Sequence, residues 1–255
     1  MKIAVCVKQS IDSEAVLAFD EAGRVAKEGQ TLVVDPYSEF AVEKAVRIKE
    51  EIGAEVVAVC LGGAEAVSAL RHVLAMGADS AIFVEDEALA DGDPAVKASV
   101  LADILRDVQA NLVLGGCKSS DTAHAQVMPR IARMLDIPHV NTAVGLDIEG
   151  PLAHVVREID DGTVTIDVAL PAVVCAQQGL AEPRYPTVRD IMQSKRKPVE
   201  RRAAGDGATD IAETLQVLES VPKPRRSGGR ILEGDDTSQV AAETVRLLRD
   251  EAKAL

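Results

Sequence analysis

The residues best placed to do chemistry lie together in the run GCKSSDTAHAQV, from Gly116 to Val127. Ser119, Ser120 and Thr122 bring hydroxyl donors and Lys118 brings a positive charge. Asp121 is a residue type that caps helices. The apolar Leu112 to Leu114 and the pair Gly115-Gly116 come just before it. The whole reads as strand, sharp glycine turn, hydroxyl-rich loop, and a helix starting at Asp121. The first amides of a helix have no partner within it and carry a partial positive charge, so the arrangement is a seat for an anion such as phosphate. An ordinary capped helix after a strand would read the same on this stretch alone.

Other chemistry is scarce. Cys6, Cys60, Cys117 and Cys175 show no CxxC and no regular spacing to histidine, which argues against zinc or cluster ligation and for reduced, partly buried thiols. The four histidines form no constellation, and only His124 lies in the loop. Neither a GxxxxGK[ST] phosphate loop nor an SGGxDS-type pyrophosphatase pattern is present, which ranks an adenine-nucleotide hydrolase or ATP-sensing domain low. With two Tyr, three Phe, no Trp and a formal charge of -13, the 255-residue chain lacks both the stacking surface and the basic face of a nucleic-acid binder. No apolar run approaches the roughly 20 residues that span a bilayer. No leader precedes the strand that opens at Lys2, so a cytoplasmic protein without membrane insertion is expected.

The elements that must position the loop follow from apolar runs and their punctuation. KIAVCVK, VVAVCL, AIFV and LVLG read as buried strands. Between them, SEFAVEKAVRIKEEIG places Ala41, Ala45, Ile48 and Ile52 on one helical face and stops at Gly53. A second helix ends at Gly77, and Asp93-Pro94 opens another with an aspartate cap and a first-position proline. Alternating strands and helices predict a mainly parallel sheet covered on both faces. Its ligand crevice should lie at the strand ends near Cys6, Leu61 and Gly116. After Pro138 extended segments follow, with AHVVREI and TVTIDVAL joined by a hairpin at Asp161-Gly162. LPAVVCAQ is one more buried strand, and Leu180 to Lys197 reads as a surface loop and a short helix. From about Glu200 the chain is polar, with PKPRRSGGR as a linker. It closes in a helix from about Asp236 whose stripe of Val240, Thr244, Leu247 and Leu248 is too narrow for a core of its own, so the tail should lie on another subunit.

In this order, VKQSID, DPYSEFAVEKAVRIKE, LAMGAD, GCKSSDTAHAQV, REIDDG with LPAVVCA, AEPRYPTVRDIMQSKRK and GGRILEG resemble the beta (small) subunit family of electron transfer flavoprotein. The resemblance implies a Rossmann-like, adenine-nucleotide-binding α/β domain over residues 1–198, with a recognition loop near 177–197. It makes 199–255 a C-terminal arm packed on the alpha subunit. It implies an electron-carrier subunit without catalytic residues of its own. The subunit would hold a structural AMP and help enclose the FAD that the alpha subunit holds or shares. It would dock the heterodimer on flavin-containing dehydrogenases.

Carried over position by position, the AMP site would comprise Cys6, the run Asp35, Pro36, Tyr37, Ser38, then Leu61, and the loop Gly116, Cys117, Lys118, Ser119, Ser120, Asp121, Thr122, Ala123, His124, Ala125, Gln126, Val127. Ser119, Ser120 and the loop amides would hold the phosphate, Gln126 would serve its ribose or phosphate side, and the backbone near Cys6 and Leu61 would border the adenine. In the recognition loop Leu180 would be the exposed apolar anchor, with Lys195, Arg196 and Lys197 as steering charges and Glu182, Arg184 and Tyr185 fixing the loop's shape. Electron-bifurcating relatives carry a second FAD in place of AMP and often a DRAFAGSDT-like segment. Here that place reads EDEALADGDPAVKAS without the arginine, which favours AMP. Ser13 stands where many relatives place an aromatic near the flavin.

Overall fold

The computed structural model describes residues 1–20, 23–26, 29–90, 92–205, 215, 218, 219, 221 and 228–254. One nine-stranded sheet dominates it. Its centre is β1 (Lys2–Val7), paired in parallel with β4 (Glu55–Gly62) on one side and β6 (Leu112–Gly116) on the other. Beyond β4 lie β5 (Ser80–Glu85) and the edge strand β11 (Val199–Arg202), both parallel. Beyond β6 lie β10 (Ala172–Ala176) and β7 (His139–Glu149), still parallel. The antiparallel β8 (Leu152–Ile159) and β9 (Gly162–Ala169) follow. A small second sheet pairs β2 (Gln9–Ile11) with β3 (Leu32–Val34).

The central parallel strands β1, β4, β5, β6 and β10 are apolar on both faces because helices cover both. α1 (Pro36–Ile52) and α2 (Val67–Met76) close one core cluster around Ile3, Val5, Ile48, Leu70 and Phe83. α4 (Pro94–Val108) and α5 (Val127–Leu135) close the other around Val59, Leu101, Ile104 and Ile131. The caps are those the sequence announces. Asp35 and Asp93 each accept the backbone N–H two residues on, and each is followed by a first-position proline. Gly53 ends α1 in the left-handed conformation, and on the predicted face Ala41, Ala45 and Ile48 are buried while Ile52, in the last turn, is exposed. The short α3 (Glu87–Ala90) follows β5, and α6 (Val188–Ser194) carries a capping box between Thr187 and Asp190.

Three sequence readings are corrected. The hairpin turn is Asp160-Asp161, with Gly162 already in β9, a shift of one residue from Asp161-Gly162. The stretch read only as polar from about Glu200 begins as β11, so the sheet continues just past residue 198. Its charged sequence, VERR, is what an edge strand beside solvent carries. The helix after β6 starts at Val127, not at Asp121. Pro129 is the reason: its ring would clash with the carbonyl of residue 125 if the helix began earlier, so it is tolerated only in the first turn. The linker PKPRRSGGR lies outside the described residues except for its last three. The closing helix α7 (Thr237–Asp250), capped by Asp236, has no buried residue. Among the described residues no helix is long and apolar enough to cross a membrane.

Candidate functional site

The chain leaves β1 towards α1 on one face of the sheet and reaches β6, on the other side of β1, by way of α4 on the opposite face. Where β1 and β6 diverge in this way, their carboxyl ends open onto a crevice. There lies a cleft of about 830 Å³, counting its open mouth. Its walls bring together twelve of the predicted nucleotide residues: Cys6, Ser38, Leu61, Gly116, Cys117, Lys118, Ser119, Thr122, His124, Ala125, Gln126 and Val127. They also include Val7, Lys8, Pro94, Lys97, Leu101 and Met128, which the sequence reading missed.

The backbone approaches that shape the cleft depend on two glycines. A Cβ on Gly115 would sit 2.6 Å from the Met128 sulfur, and one on Gly116 would sit 2.6 Å from Tyr37 Cβ and 2.9 Å from the Lys118 carbonyl. Neither glycine has a left-handed φ. They are required for close packing of α5 and of the start of α1, not for the sharp turn expected of them. The left-handed residues in this loop are Ala123 and Ala125, at φ 49° and 55°, each at a cost of about 1 kcal/mol for an L-residue. Strain of this kind, held on either side of His124 at the mouth of a cleft, is characteristic of loops shaped for a ligand.

Six predicted residues do not line the cleft: Asp35 is buried, Pro36 and Tyr37 are half-buried, and Ser120, Asp121 and Ala123 are exposed. Asp35, 1% exposed, caps α1 through Tyr37 N–H and also accepts both the N–H and the hydroxyl of Ser120, at 2.7 and 2.8 Å. The donors of Ser120 are thereby spent within the protein. Pro36 and Tyr37 open α1. Ala123 shapes the loop and donates its N–H to the Ser119 carbonyl. Asp121, expected as a helix cap, instead accepts from Lys8 Nζ at 2.5 Å. Burial is the largest single influence and raises its pKa, but the bond and charge of Lys8 together with hydrogen bonds from Ser119 and Thr122 outweigh it and hold the carboxyl below its ordinary value.

Lys8 is the cation around which the loop is gathered. Besides Asp121, its ammonium reaches Ser119 Oγ at 3.1 Å and Thr122 Oγ1 at 3.4 Å, and its backbone N–H donates to Ser38 Oγ. Lys118 stands over the Tyr37 ring at 5.3 Å. Gln126 accepts from Arg130 and makes no side-chain cap; Pro129 has no N–H and Arg130 donates its own to the Gln126 carbonyl, so the first-turn amides at the wall are those of Val127 and Met128. The cleft thus has a polar end of ammonium, hydroxyls and helix amides, and apolar sides from Leu61, Pro94, Leu101 and Met128. No thiol chemistry is available in it. Burial pushes the Cys6 thiol up to about 12 and raises that of Cys117. Among the described residues no group of His, Cys, Asp and Glu could hold a metal.

A sequence model described as the electron transfer flavoprotein domain matches residues 23–206. Over its whole length the chain is 36% identical to the full electron transfer flavoprotein subunit beta of Bacillus subtilis. It is 37% identical to the same subunit of Bos taurus, with 90% of this chain and 91% of that one covered. With subunit CarD of the caffeyl-CoA reductase-Etf complex of Acetobacterium woodii it shares 33% identity over 98% of both chains. The chain belongs to the electron transfer flavoprotein beta-subunit family. Membership makes it an electron-carrier subunit and implies an alpha-subunit partner.

For an electron transfer flavoprotein beta subunit, the second region of interest is the loop between β10 and α6. Its predicted anchor, Leu180, is not exposed: at 7% it packs into the core, because its backbone turns back on Gln177 and points the side chain under the sheet. Tyr185 fixes nothing. It is 96% exposed, and Val188 and Met192 of α6 are exposed at 76% and 65%. Arg184 does fix the loop, through carboxylates of α1. Glu182 contributes its carbonyl, which accepts from Arg47. Lys195 and Arg196 are exposed. Lys197 is no steering charge, because its ammonium donates to the carbonyls of Leu74 and Ala78 at the end of α2, and burial lowers its pKa.

Proposed function

We propose that this chain is the nucleotide-holding and docking subunit of a heterodimeric electron carrier, with AMP in the cleft at the ends of β1 and β6. The observation that carries this reading is the polar end of the cleft. Lys8, Ser119, Thr122 and the open first turn of α5 face one volume, beside apolar walls that suit a purine. Lys8 and the α5 amides would hold the phosphate, and Leu61, Leu101 and the strand-end backbone would flank the base. FAD, held with the alpha subunit, supplies the redox chemistry when bound, while this chain's residues hold, shape and dock. α7 has no buried residue and exposes Val245 and Leu248, which supports its packing on that subunit. The loop from Gln177 to Thr187 and the start of α6 would meet a flavin-containing dehydrogenase, with Tyr185 and Val188 outermost. Four free, buried cysteines fit a reducing cytoplasm.

The test is to co-express the chain with its alpha subunit, denature the purified complex and quantify the released nucleotides. One AMP and one FAD per heterodimer is the expected result. Two FAD and no AMP would convert the cleft into a second flavin site and the carrier into a bifurcating one.

A further inference from the structure

Glu43 is a carboxylate where the fold calls for a hydrocarbon. It lies in mid-α1 among Ala41, Val42, Ala45 and Val46, all buried, and its own side chain is only 2% exposed. Both oxygens are saturated. Oε1 accepts from Arg47 Nε at 2.8 Å and Arg184 Nη2 at 3.0 Å. Oε2 accepts from Arg184 Nε at 2.8 Å and from the Arg184 backbone N–H at 3.2 Å. Arg184 gives its other edge to Glu50, at 2.5 and 2.9 Å, while Arg47 Nη2 donates to the Glu182 carbonyl at 2.9 Å.

An apolar pair of similar volume would hold the loop to α1 at least as firmly, because taking these charges out of water is costly. What hydrocarbon cannot supply is direction. A guanidinium held edge-on by two carboxylates is fixed in plane and in azimuth, and with it the backbone from Glu182 to Arg184. The next residue is Tyr185, which that backbone turns wholly into solvent, and α6 begins three residues later. We propose that Glu43 is a positioning residue for docking: by holding Arg184 it aims Tyr185 and the first turn of α6 at the partner. This rests on the docking reading of the loop.

The experiment uses the intact heterodimer and a purified flavin-containing dehydrogenase that reduces the wild type. Glu43→Gln and the milder Glu50→Gln should raise the KM for the heterodimer as electron acceptor by about tenfold or less, in that order. Their kcat and released nucleotide should stay at wild-type values, and amides 179–186 should exchange faster. Tyr185→Ala, run in parallel, reads the docking surface itself. If Tyr185→Ala raises KM while both glutamine variants leave it unchanged, docking stands and the positioning role falls. If none of the three moves KM, the docking reading falls and takes the proposal with it. Should Glu43→Gln fail to fold, Glu50→Gln decides alone, with an unchanged KM counting against the proposal.

Discussion

Two loops leave neighbouring strands of the sheet and are fastened to the same helix by opposite means. The loop after β6 is tied to the start of α1 by neutral donors. Ser120 gives its N–H and hydroxyl to Asp35, and the remaining polar groups line an open cleft. The loop after β10 is tied to the middle of α1 by charge, and there every side-chain nitrogen and oxygen of Arg184 and Glu43 is used within the protein. The first loop borders a concave cleft, as suits a small ligand. The second buries Leu180 and Ala181 and carries Tyr185 outside, with Val188 and Met192 of α6 exposed beyond it, as suits a protein surface.

The comparison is easiest to break at the charged fastening. Arg184→Met leaves Glu43 buried with Arg47 alone, and we expect a loss of about 3 kcal/mol in urea unfolding, at the lower end for an orphaned buried charge because Arg47 remains. Combining it with Glu43→Leu should restore most of that stability without restoring the loop's direction. A double variant as unstable as the single one would mean that packing, not charge, governs this fastening. At the neutral fastening, Asp35→Ala removes a helix cap and strands the donors of Ser120, for an expected loss of about 2 kcal/mol. That variant should also lose its bound nucleotide, which Arg184→Met should keep. Retention of full nucleotide by Asp35→Ala would detach the α1 cap from the cleft.

The two glycines of the cleft sharpen the contrast within a smaller range. Gly116→Ala meets the Cβ of Tyr37 and a backbone carbonyl, neither of which can step aside, and overpacking of this kind costs about 1 to 3 kcal/mol. Gly115→Ala meets the flexible end of Met128, which can swing away, so its loss should be the smaller of the two. Melting temperatures in the reverse order would show that α5, not α1, is the less yielding wall.

What was legible in the sequence follows the same division. The long strands of the main sheet, α1, α2, α4 and the closing α7 could be read because each is announced locally, by an apolar run or by punctuation such as Asp35-Pro36, Gly53 and Asp93-Pro94, whereas the short β2 and β3 and the charged β11 carry no such signal. The position of the cleft was legible too, since parallel strands place it. The side chains that finish each loop were not legible, because their partners are distant in sequence. Lys8 reaches Asp121 across 113 positions and Arg184 reaches Glu43 across 141. Asp121 looked like a cap until Lys8 claimed it, and the one local sign against that, Pro129, lay beyond the loop. Leu180 read as exposed because its neighbours are proline, glycine and charge, while its burial depends on how the chain turns back after β10.

Acid should distinguish the two fastenings at the lowest cost in stability. Burial pushes the carboxyl of Glu43 up, but the hydrogen bonds from Arg184 and Arg47 outweigh this and leave it below its ordinary value of 4.5. Glu50, bonded to the same guanidinium, is lowered as well. A carboxyl depressed by folding contributes stability that is complete above its unfolded pKa and is lost as the pH falls through the folded one. The charged fastening should therefore weaken below about pH 4.5, as the unfolded chain takes up protons before the folded chain does. The same fall in pH would reach the first loop through Asp121, likewise depressed, by way of its bond from Lys8. Hydrogen exchange between pH 5 and pH 3 should show faster opening of amides 179–186 in the wild type. Glu43→Gln should make that pH dependence shallower while leaving that of the loop after β6 unchanged. Equal pH dependence in the wild type and Glu43→Gln would mean that this carboxylate does not hold the docking loop through its charge.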